Sequence, residues 1–487
     1  MKQVSARFPA PYFVRHPQWK WFILSTVLVG ATMSALDVSI VNVAMPTLEQ
    51  TFQVDMATIE WVAMAYMLTL TIFLPLFGRL ADMMGRAKLY NLGFVIFSIG
   101  SALCGMASTA GFLIAARIVQ AVGAGLLQAN SVAIITEAFP ERELGRAIGL
   151  QGATQAIAMA AGPFLGGIII TLVGWRFIFY INVPIGIIGT IAALYILPKN
   201  APARKESIDY WGTLFFSSGL AFLILGFNQA GKLGWTSTTI ISYFSLAVVL
   251  LSAFLLLERK IIHPMIDLNL FRQWNFSAGN LAGLLSYYIF FAVLFFMPFY
   301  FERILKFTPA VAGSFLTAVP VAMAATAPIS GYIADRYGSR LMTISGMAVC
   351  GFASLILSYV KYLPNPYLLC GALIILGIGM GMFTPPNNSS IMTSVPKQRL
   401  GVAGGILNMM RSLGLIFGVA LSGLEFTLAQ QHYVAAHGFS IGRTGAIPPA
   451  LYDAAFLYGF RSIMLTLAAI SLLALVLSVS KKPKTAP

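Results

Sequence analysis

Residues 78–86 read GRLADMMGR, and residues 331–340 read GYIADRYGSR. Both segments begin with glycine, carry a central Ala-Asp pair, and start 253 residues apart, about half of the 487-residue chain. Repetition at half the chain length predicts two parallel halves of related structure. The glycines allow a tight turn, and the acids Asp82 and Asp335 can pair with basic groups or cap the next helix. The alternative is a short basic loop that only sets membrane topology.

The composition identifies the solvent in which this chain folds. Hydrophobic residues make up 58% of the sequence and charged residues 10%, and the mean hydropathy is +0.82. A soluble domain carries about 25% charged residues. A chain so poor in charge cannot cover its surface with polar groups, so the bilayer is its solvent. Its apolar stretches run for about 20 residues without strict alternation, which indicates spanning helices and not strands of a barrel.

Polar breaks divide the sequence into fourteen apolar stretches. The predicted spans are 19–45, 58–78, 89–107, 110–136, 146–170, 178–197, 210–229, 238–257, 276–301, 309–330, 341–360, 367–390, 401–425 and 456–480. Two six-helix halves account for twelve of them, and the seventh and eighth form a hairpin inserted between the halves. We therefore predict an all-α polytopic protein with an N-terminal half over 1–200, a two-helix hairpin over 201–260 and a C-terminal half over 261–487. Such parallel halves are typical of membrane transporters.

Lysine and arginine residues predict the orientation of the chain. An even number of spans places both termini on one side. The termini and loops of that side hold 22 of the 31 basic residues, the opposite side holds 7, and Arg117 and Arg411 fall inside spans. Because basic residues concentrate on the cytoplasmic side, we expect both termini in the cytoplasm. The net charge of +15 therefore reflects topology, and we predict no nucleic-acid partner.

Five motifs follow one another along the first half of the chain. They are LDVSIVNVAMP (36–46), GRLADMMGRAK (78–88), RIVQAVGAG (117–125), GPFLGG (162–167) and WRFIFYINVPIG (175–186). In this order they resemble the major facilitator superfamily, specifically its fourteen-span drug:H+ antiporter branch of the EmrB/QacA type. The resemblance covers nearly the whole chain. Two positions depart from the pattern, because Ala121 replaces the usual glycine of the fourth-span motif and Ser339 stands where the first half has Arg86.

The resemblance implies a major facilitator fold and a proton-coupled antiporter that exports amphipathic drugs across the cytoplasmic (inner) membrane. It gives gating or conformational roles to residues of the repeated loops and of the fifth span. These residues are Gly78, Asp82, Gly85, Arg86, Asp335, Gly162, Pro163 and Gly166. It also links the fifth-span motif with export polarity. Physical reasoning alone gives only a kinkable, closely packed helix there, because proline removes a helical hydrogen bond.

Asp37 and Arg117 are ionisable residues inside predicted spans, where a charge is costly and usually functional. Asp37 lies about eight residues before the outer end of the first span, and Arg117 about seven residues after the outer start of the fourth. At 1.5 Å per residue, both lie about 10–12 Å below the outer boundary. Burial disfavours a charged carboxylate and a nearby guanidinium favours it. We therefore predict that this pair couples transport to protons; the alternative is a static ion pair.

The candidates for a substrate cavity are polar and aromatic residues of four spans. They are Asn42, Gln120, Tyr287, Phe291, Asn408 and Arg411. Arg411 lies near the midplane, and the glycines that follow it at helical spacing, Gly414 and Gly418, let a neighbouring helix approach closely. A role in helix packing is therefore the alternative to substrate binding. The aromatic residues of the ninth span suit planar amphipaths, but they can equally pack against lipid and neighbouring helices.

Acids and histidines near the outer boundary complete the set of candidate residues. We expect four acids to be solvated residues of the outer rim: Glu60, Glu302, Glu425 and Asp453. His432 and His437 fall in a predicted external loop over 426–455 without a set of metal-ligand partners. The sequence therefore predicts no metal site and no cofactor. It also contains no Walker-type phosphate loop, which excludes ATP-driven transport by this chain alone.

Two rival functions stand beside drug export. The first is a gradient-driven importer, or an exporter of a specific lipid or metabolite, on the same fold, because fold does not determine substrate. The second is a membrane enzyme such as an acyl or glycosyl transferase, which the short loops, poor in acids and histidines, disfavour. The predicted partners are protons, small amphipathic substrates and the lipid bilayer, with a periplasmic adaptor if the host is Gram-negative. The deep charges, two arginines and one aspartate, favour monovalent cationic, neutral or anionic substrates over dications.

Overall fold

The computed structural model describes residues 18–198, 210–261, 268–359, 365–396, 400–439 and 448–480. Every regular element within these ranges is a helix. Fourteen helical segments of the described chain are long and apolar enough to cross a membrane. The predicted fold class and the predicted number of spans are therefore confirmed.

The spanning helices are numbered α1 to α14 in chain order. The first eight are α1 (Trp19–Phe52), α2 (Met56–Met84), α3 (Arg86–Gly105), α4 (Ala110–Ala138), α5 (Glu141–Val173), α6 (Phe177–Ile196, interrupted at Ile181), α7 (Tyr210–Leu233) and α8 (Thr238–Glu258). The others are α9 (Trp274–Ile304, its last turn a π-helix), α10 (Pro309–Leu316 and Ala318–Tyr337), α11 (Ser339–Ser358), α12 (Pro366–Thr393), α13 (Leu400–Ala436) and α14 (Pro449–Val479). A short 3-10 helix, Leu268–Arg272, precedes α9.

Several helices extend beyond the predicted spans. Helix α1 continues through Pro46 to Phe52, and α13 continues to Ala436 instead of ending at residue 425. Helix α14 begins at Pro449, so much of the predicted external loop over 426–455 is helical. Hydropathy marks where a helix leaves the apolar layer, whereas its backbone hydrogen bonds can continue into the aqueous interface.

Contacts among the described residues form two compact units, of which the first comprises Met1–Val54 and Trp61–Thr213. Within this unit α1 packs against α4, α5 and α6, and α3 packs against α4. A Cβ atom at Gly100 would overlap the backbone of Gln120 on α4. Small residues matter here because lipid tails supply no hydrophobic force between helices, so association depends on close packing.

The second unit comprises Asp55–Glu60 and Leu214–Pro487. Within it α9 packs against α13, and α11 packs against α12 and α14. Helix α8 and the part of α7 from Leu214 onward belong to this unit. The Nε2 atom of Gln431 on α13 donates to the Gly231 carbonyl of α7 at 3.0 Å, and an apolar cluster joins both hairpin helices to Leu424 of α13. The predicted division of the sequence into two halves and an inserted hairpin stays a prediction.

Candidate functional site

Asp37 lies in α1 and is 0% exposed. Its Oδ2 atom accepts a hydrogen bond from Arg117 Nη1 at 2.5 Å. Its Oδ1 atom accepts from Gln120 Nε2 at 2.8 Å and from Asn182 Nδ2 at 3.3 Å. Arg117 and Gln120 lie one turn apart on α4, and Asn182 lies on α6. Three side chains from two other helices therefore hold the carboxylate.

The guanidinium of Arg117 is also held from several sides. Its Nε atom donates to the Val62 carbonyl of α2 at 3.1 Å, and Nη1 donates to Gln120 Oε1 at 2.7 Å. The ring of Tyr66 lies 4.1 Å from the guanidinium carbon. A buried ion pair requires such additional partners, because burial removes the hydration of both charges. The structure thus brings Asp37 and Arg117 into direct contact, and their role in proton coupling stays a prediction.

Gln120, which sequence reasoning assigned to a substrate cavity, lies within the Asp37 cluster. Its Nε2 atom donates to Ser101 Oγ of α3 at 2.8 Å as well as to Asp37. The neighbouring Gly100 lets α3 approach the Gln120 backbone closely. Small residues of α3 therefore position Gln120, and Gln120 in turn positions the carboxylate. We refer to Asp37, Arg117, Gln120 and Asn182 as the carboxylate cluster.

Helix α5 contacts α1 directly beside Asp37. A Cβ atom at Gly162 would overlap the hydroxyl of Ser39, and one at Gly166 would overlap the side chain of Ile40, the next residue of α1. Pro163 lies inside α5 without ending the helix and leaves one helical carbonyl without its usual N–H partner. The fifth-span glycines thus permit close packing of α5 against the segment that carries Asp37. Their predicted conformational role is untested.

Sequence reasoning missed Asn182 as a member of the site. Helix α6 is interrupted at Ile181, directly before Asn182, and Pro184 cannot donate to the carbonyl four residues earlier. A polar residue in an apolar span, two positions before a proline, was the available signal. Tyr66 and Ser101 were missed as well. Neither carries a charge at neutral pH, so nothing in their local sequence marks them.

Three buried polar atoms on α1, α2 and α6 have no hydrogen-bond partner within the described protein. They are Asn42 Oδ1, Tyr66 Oη and Asn182 Oδ1. The three residues are at most 3% exposed. Such atoms are uncommon in folded proteins, and each one calls for a functional or structural explanation. Tyr66 and Asn182 contact the ion pair, so their oxygens can bind water or a substrate group beside the carboxylate cluster. Asn42, on the same helix as Asp37, was predicted to line a cavity.

The repeated loops form tight turns between helices. Gly85, between α2 and α3, has φ 98°, and Gly338, between α10 and α11, has φ 91°; this conformation favours glycine. Arg86 Nη1 donates to Glu137 Oε1 at 2.6 Å. A Cβ atom at Gly78 would meet no other atom within 4 Å, so close packing does not require glycine there. The predicted gating side chains that lie outside the described residues are those of Asp82 and Asp335.

The second unit contains another cluster of predicted residues. The guanidinium carbon of Arg411 lies 4.8 Å from the centre of the Tyr287 ring, and both residues line one small cavity. Gly414 and Gly418 bring α13 against α9, because a Cβ atom at either would overlap a backbone carbonyl of α9. This segment therefore combines close helix packing with a polar cavity.

Two other predicted cavity residues lie apart from this cavity. Phe291 of α9 is 1% exposed, and Asn408 of α13 is exposed. The residues that line the Arg411 cavity include neither of them. Of the predicted aromatic residues, Tyr287 lines this cavity and Phe291, one turn later, does not; their role in substrate binding stays a prediction.

The prediction of a solvated acid is wrong for Glu60, which is 1% exposed. Asn228 of α7 donates to Glu60 Oε2 at 3.2 Å, and Gly423 of α13 packs directly against the carboxylate. The position of an acid near a helix end does not reveal which helix covers it. In this case helix α7 of the hairpin packs over the carboxylate and buries it.

The other three acids differ from one another in exposure. Glu302 is half-buried, and its Oε1 atom is buried without a hydrogen-bond partner in the described protein, so this carboxylate is only partly solvated. Glu425 accepts from Ser462 and Thr466 of α14 at 2.6 Å and 2.7 Å. Asp453 has a side chain 45% exposed and agrees with the predicted solvated rim.

Comparison with known proteins places this fold in a family. The sequence matches the profile of the Major Facilitator Superfamily over residues 27–419 and 279–487. A solved bacterial homologue of the human lysosomal transporter Spinster, in an inward-facing unoccupied conformation, aligns with a TM-score of 0.69. The alignment covers 95% of this chain and 97% of that one at 14% sequence identity, so it supports the fold alone.

Several bacterial transporters resemble the chain in sequence. The riboflavin transporter RibZ of Clostridioides difficile is 39% identical over 405 residues, 82% of this chain and 87% of that protein. The multidrug resistance protein Stp of Mycobacterium tuberculosis is 31% identical over 396 residues, 81% of this chain and 74% of that protein. The multidrug transporter protein MdtP of Bacillus subtilis is 30% identical over 402 residues, covering 82% and 74%. The chain belongs to the Major Facilitator Superfamily and is a multi-pass membrane transporter.

Proposed function

We propose that the protein is a proton-coupled secondary antiporter that exports amphipathic compounds by alternating access. The observation that carries this proposal is the carboxylate cluster, in which a fully buried Asp37 contacts a buried Arg117. A static ion pair needs hydrogen-bond partners for its own charged groups but no unpaired polar atoms beside it. The partnerless oxygens of Asn42, Tyr66 and Asn182 favour a cluster that exchanges partners during transport.

Protonation of Asp37 is the proposed coupling step. A protonated carboxyl group no longer compensates the Arg117 guanidinium, so the free energy of the paired arrangement rises. Gln120 donates to Asp37 and accepts from Arg117 in the same geometry, which allows it to remain a partner of either group when the pair separates. Helix α5 packs against this segment of α1 through Gly162, so a change at Asp37 is transmitted to a second helix.

We further propose export across the cytoplasmic membrane, with both termini in the cytoplasm. The sequence matches bacterial relatives named for multidrug resistance, and the distribution of basic residues supports this orientation. The gating roles proposed for Gly85 and Arg86 agree with a tight turn and an ion pair at the end of α2. A periplasmic adaptor is a further proposed partner if the host is Gram-negative.

Export of one specific metabolite is the second candidate function. Its support is the 39% identity to a riboflavin transporter, a higher identity than to the multidrug proteins Stp and MdtP. A metabolite exporter on this fold would keep the carboxylate cluster and differ only in substrate range. Competition among chemically unrelated amphipaths for transport distinguishes the two candidates.

The test of the proposed function is transport in proteoliposomes with an imposed proton gradient. Wild-type protein is expected to drive a fluorescent amphipath against its concentration gradient, and Asp37→Asn to bind the amphipath without gradient-driven transport. Asparagine keeps the shape of the residue and one acceptor oxygen, but it cannot carry the proton. Asp55→Asn is the matched control, because Asp55 is exposed and asparagine also caps helices well. Gradient-driven transport by Asp37→Asn at the wild-type rate would refute the assignment.

A further inference from the structure

The cavity beside Arg411 is formed by three helices of the second unit. Asn280 and Tyr287 of α9, Asn388 of α12 and Arg411 of α13 are the side chains that give it polar or aromatic character; Asn387 also lines it. Its volume is about 10 Å³, which is about the space that the centre of one water molecule needs. The described lining contains no carboxylate. The cavity is therefore a small polar recess that carries a cation and several amides.

Asn280 supplies a hydrogen-bond acceptor to this recess. The residue is 1% exposed, and its Nδ2 atom donates to the Phe276 carbonyl of its own helix at 2.9 Å. Its Oδ1 atom has no partner in the described protein. An amide oxygen that is buried without a donor is unfavourable, and a ligand that donates to it removes this cost. The recess is therefore built to receive a hydrogen-bond donor.

Arg411 requires a hydrogen-bond acceptor in the ligand, whereas Asn280 requires a donor. A guanidinium has only donors, so it favours a ligand with acceptor oxygens. Tyr287 packs against the guanidinium, and Gly414 lets α13 approach α9 at this level, so the arginine is held beside a ring face. A flat ligand group suits this arrangement, because a guanidinium plane and an aromatic ring both stack on planar groups.

These requirements favour a ligand edge that carries both a hydrogen-bond donor and an acceptor, and an N–H beside a carbonyl is the planar form of such an edge. A quaternary ammonium cannot donate to Asn280 and is repelled by Arg411, and a carboxylate accepts from Arg411 but offers no donor to Asn280. We propose that this recess is a recognition subsite for the lactam or imide edge of a planar substrate. The inference rests on the proposed export function and names the substrate class that the second unit recognises. A ring edge is larger than one water molecule, so the subsite is occupied in a conformation with a wider recess.

The test compares two probes that differ only at this edge. Lumiflavin has an imide N–H between two carbonyls, and 3-methyllumiflavin carries a methyl group in place of that hydrogen. Binding to purified protein is measured by fluorescence quenching without a proton gradient. Wild-type protein is expected to bind lumiflavin at least about tenfold more tightly, which is the effect of leaving a buried acceptor unpaired. Asn280→Leu is expected to bind both probes equally.

The matched control is Asn130→Leu. Asn130 is also 1% exposed and donates to the carbonyl four residues before it, but it does not line this recess. This control is expected to keep the preference for lumiflavin. The comparison in wild-type protein does not depend on the folding of any variant. Equal binding of the two probes, or no binding of either, overturns the proposal. A preference that survives in Asn280→Leu overturns it as well.

Failure of the proposed function and failure of the subsite give different experimental results. Absence of a lumiflavin preference in wild-type protein, together with intact, Asp37-dependent transport of another amphipath, refutes the subsite and leaves proton-coupled export standing. The converse result is a binding preference that depends on Asn280, together with transport that is independent of the proton gradient. It supports the subsite and refutes proton coupling.

Discussion

Asp37 and Arg117 have side chains 0% and 2% exposed, so water stabilises neither charge. Their pairing was predictable because a charge inside an apolar stretch is conspicuous and the helical rise fixes its depth. The contributions of Asn182 and Tyr66 were not predictable in the same way. An uncharged polar side chain is common in spans, and only the packing of four helices shows that these residues meet the ion pair.

Arg117→Lys tests how strictly the cluster requires a guanidinium. An ammonium group cannot reproduce the planar fork that reaches Asp37, Gln120 and the Val62 carbonyl together. We expect the free energy of unfolding in detergent to fall by about 1–3 kcal/mol and gradient-driven transport to fall by at least about tenfold. Thermal unfolding and proteoliposome transport measure the two effects. The exposed Arg259→Lys is the control, and wild-type behaviour of Arg117→Lys would contradict the account.

At the scale of helices, small residues determine which spans come close together. The sequence predicted a closely packed fifth span from its glycines and proline. It did not identify α1 as the neighbour, because a run of small residues shows that a helix can be approached but not which helix approaches it. Only the structure shows that Gly162 faces Ser39, two residues from Asp37. The same limit explains Glu60, whose burial depends on α7.

Gly162→Ala tests this contact between α1 and α5. The added methyl group would overlap the Ser39 hydroxyl, so we expect a loss of about 1–3 kcal/mol of stability from overpacking together with slower transport. Thermal unfolding and transport assays measure both effects. Gly152→Ala in the same helix meets no atom within 4 Å and should be neutral or stabilising by up to about 1 kcal/mol. Adding Ser39→Gly to Gly162→Ala should restore stability. If it does not, the contact between residues 162 and 39 is not the cause of the lost stability.

At the scale of the whole molecule, composition and hydropathy predicted the fourteen spans correctly, because the bilayer imposes one length and one polarity on each of them. The ends of the helices were predicted less well, since α1 and α13 continue past their apolar stretches. The predicted orientation rests on the basic residues of the loops and is untested. The division into two halves and an inserted hairpin follows from the repeated loop near Gly78 and Gly331 and still requires a test.

Thiol labelling tests the predicted orientation. In a variant with alanine at Cys104, Cys350 and Cys370, a cysteine is introduced at exposed Lys88, after α2, or at exposed Thr236, after α7. A membrane-impermeant thiol reagent added to intact cells should label Thr236→Cys at once and Lys88→Cys only after permeabilisation. The reverse pattern would invert the topology and with it the proposed direction of export.

Proton release on substrate binding tests the central claim most directly. Purified protein in detergent and weak buffer is mixed with a transported amphipath while a pH indicator follows the solution. The account predicts that wild-type protein releases protons when the substrate binds, because occupancy by substrate and protonation of Asp37 exclude each other. Asp37→Asn should bind the same substrate and release none. An equal release by Asp37→Asn, or binding by wild-type protein without any release, would contradict the account.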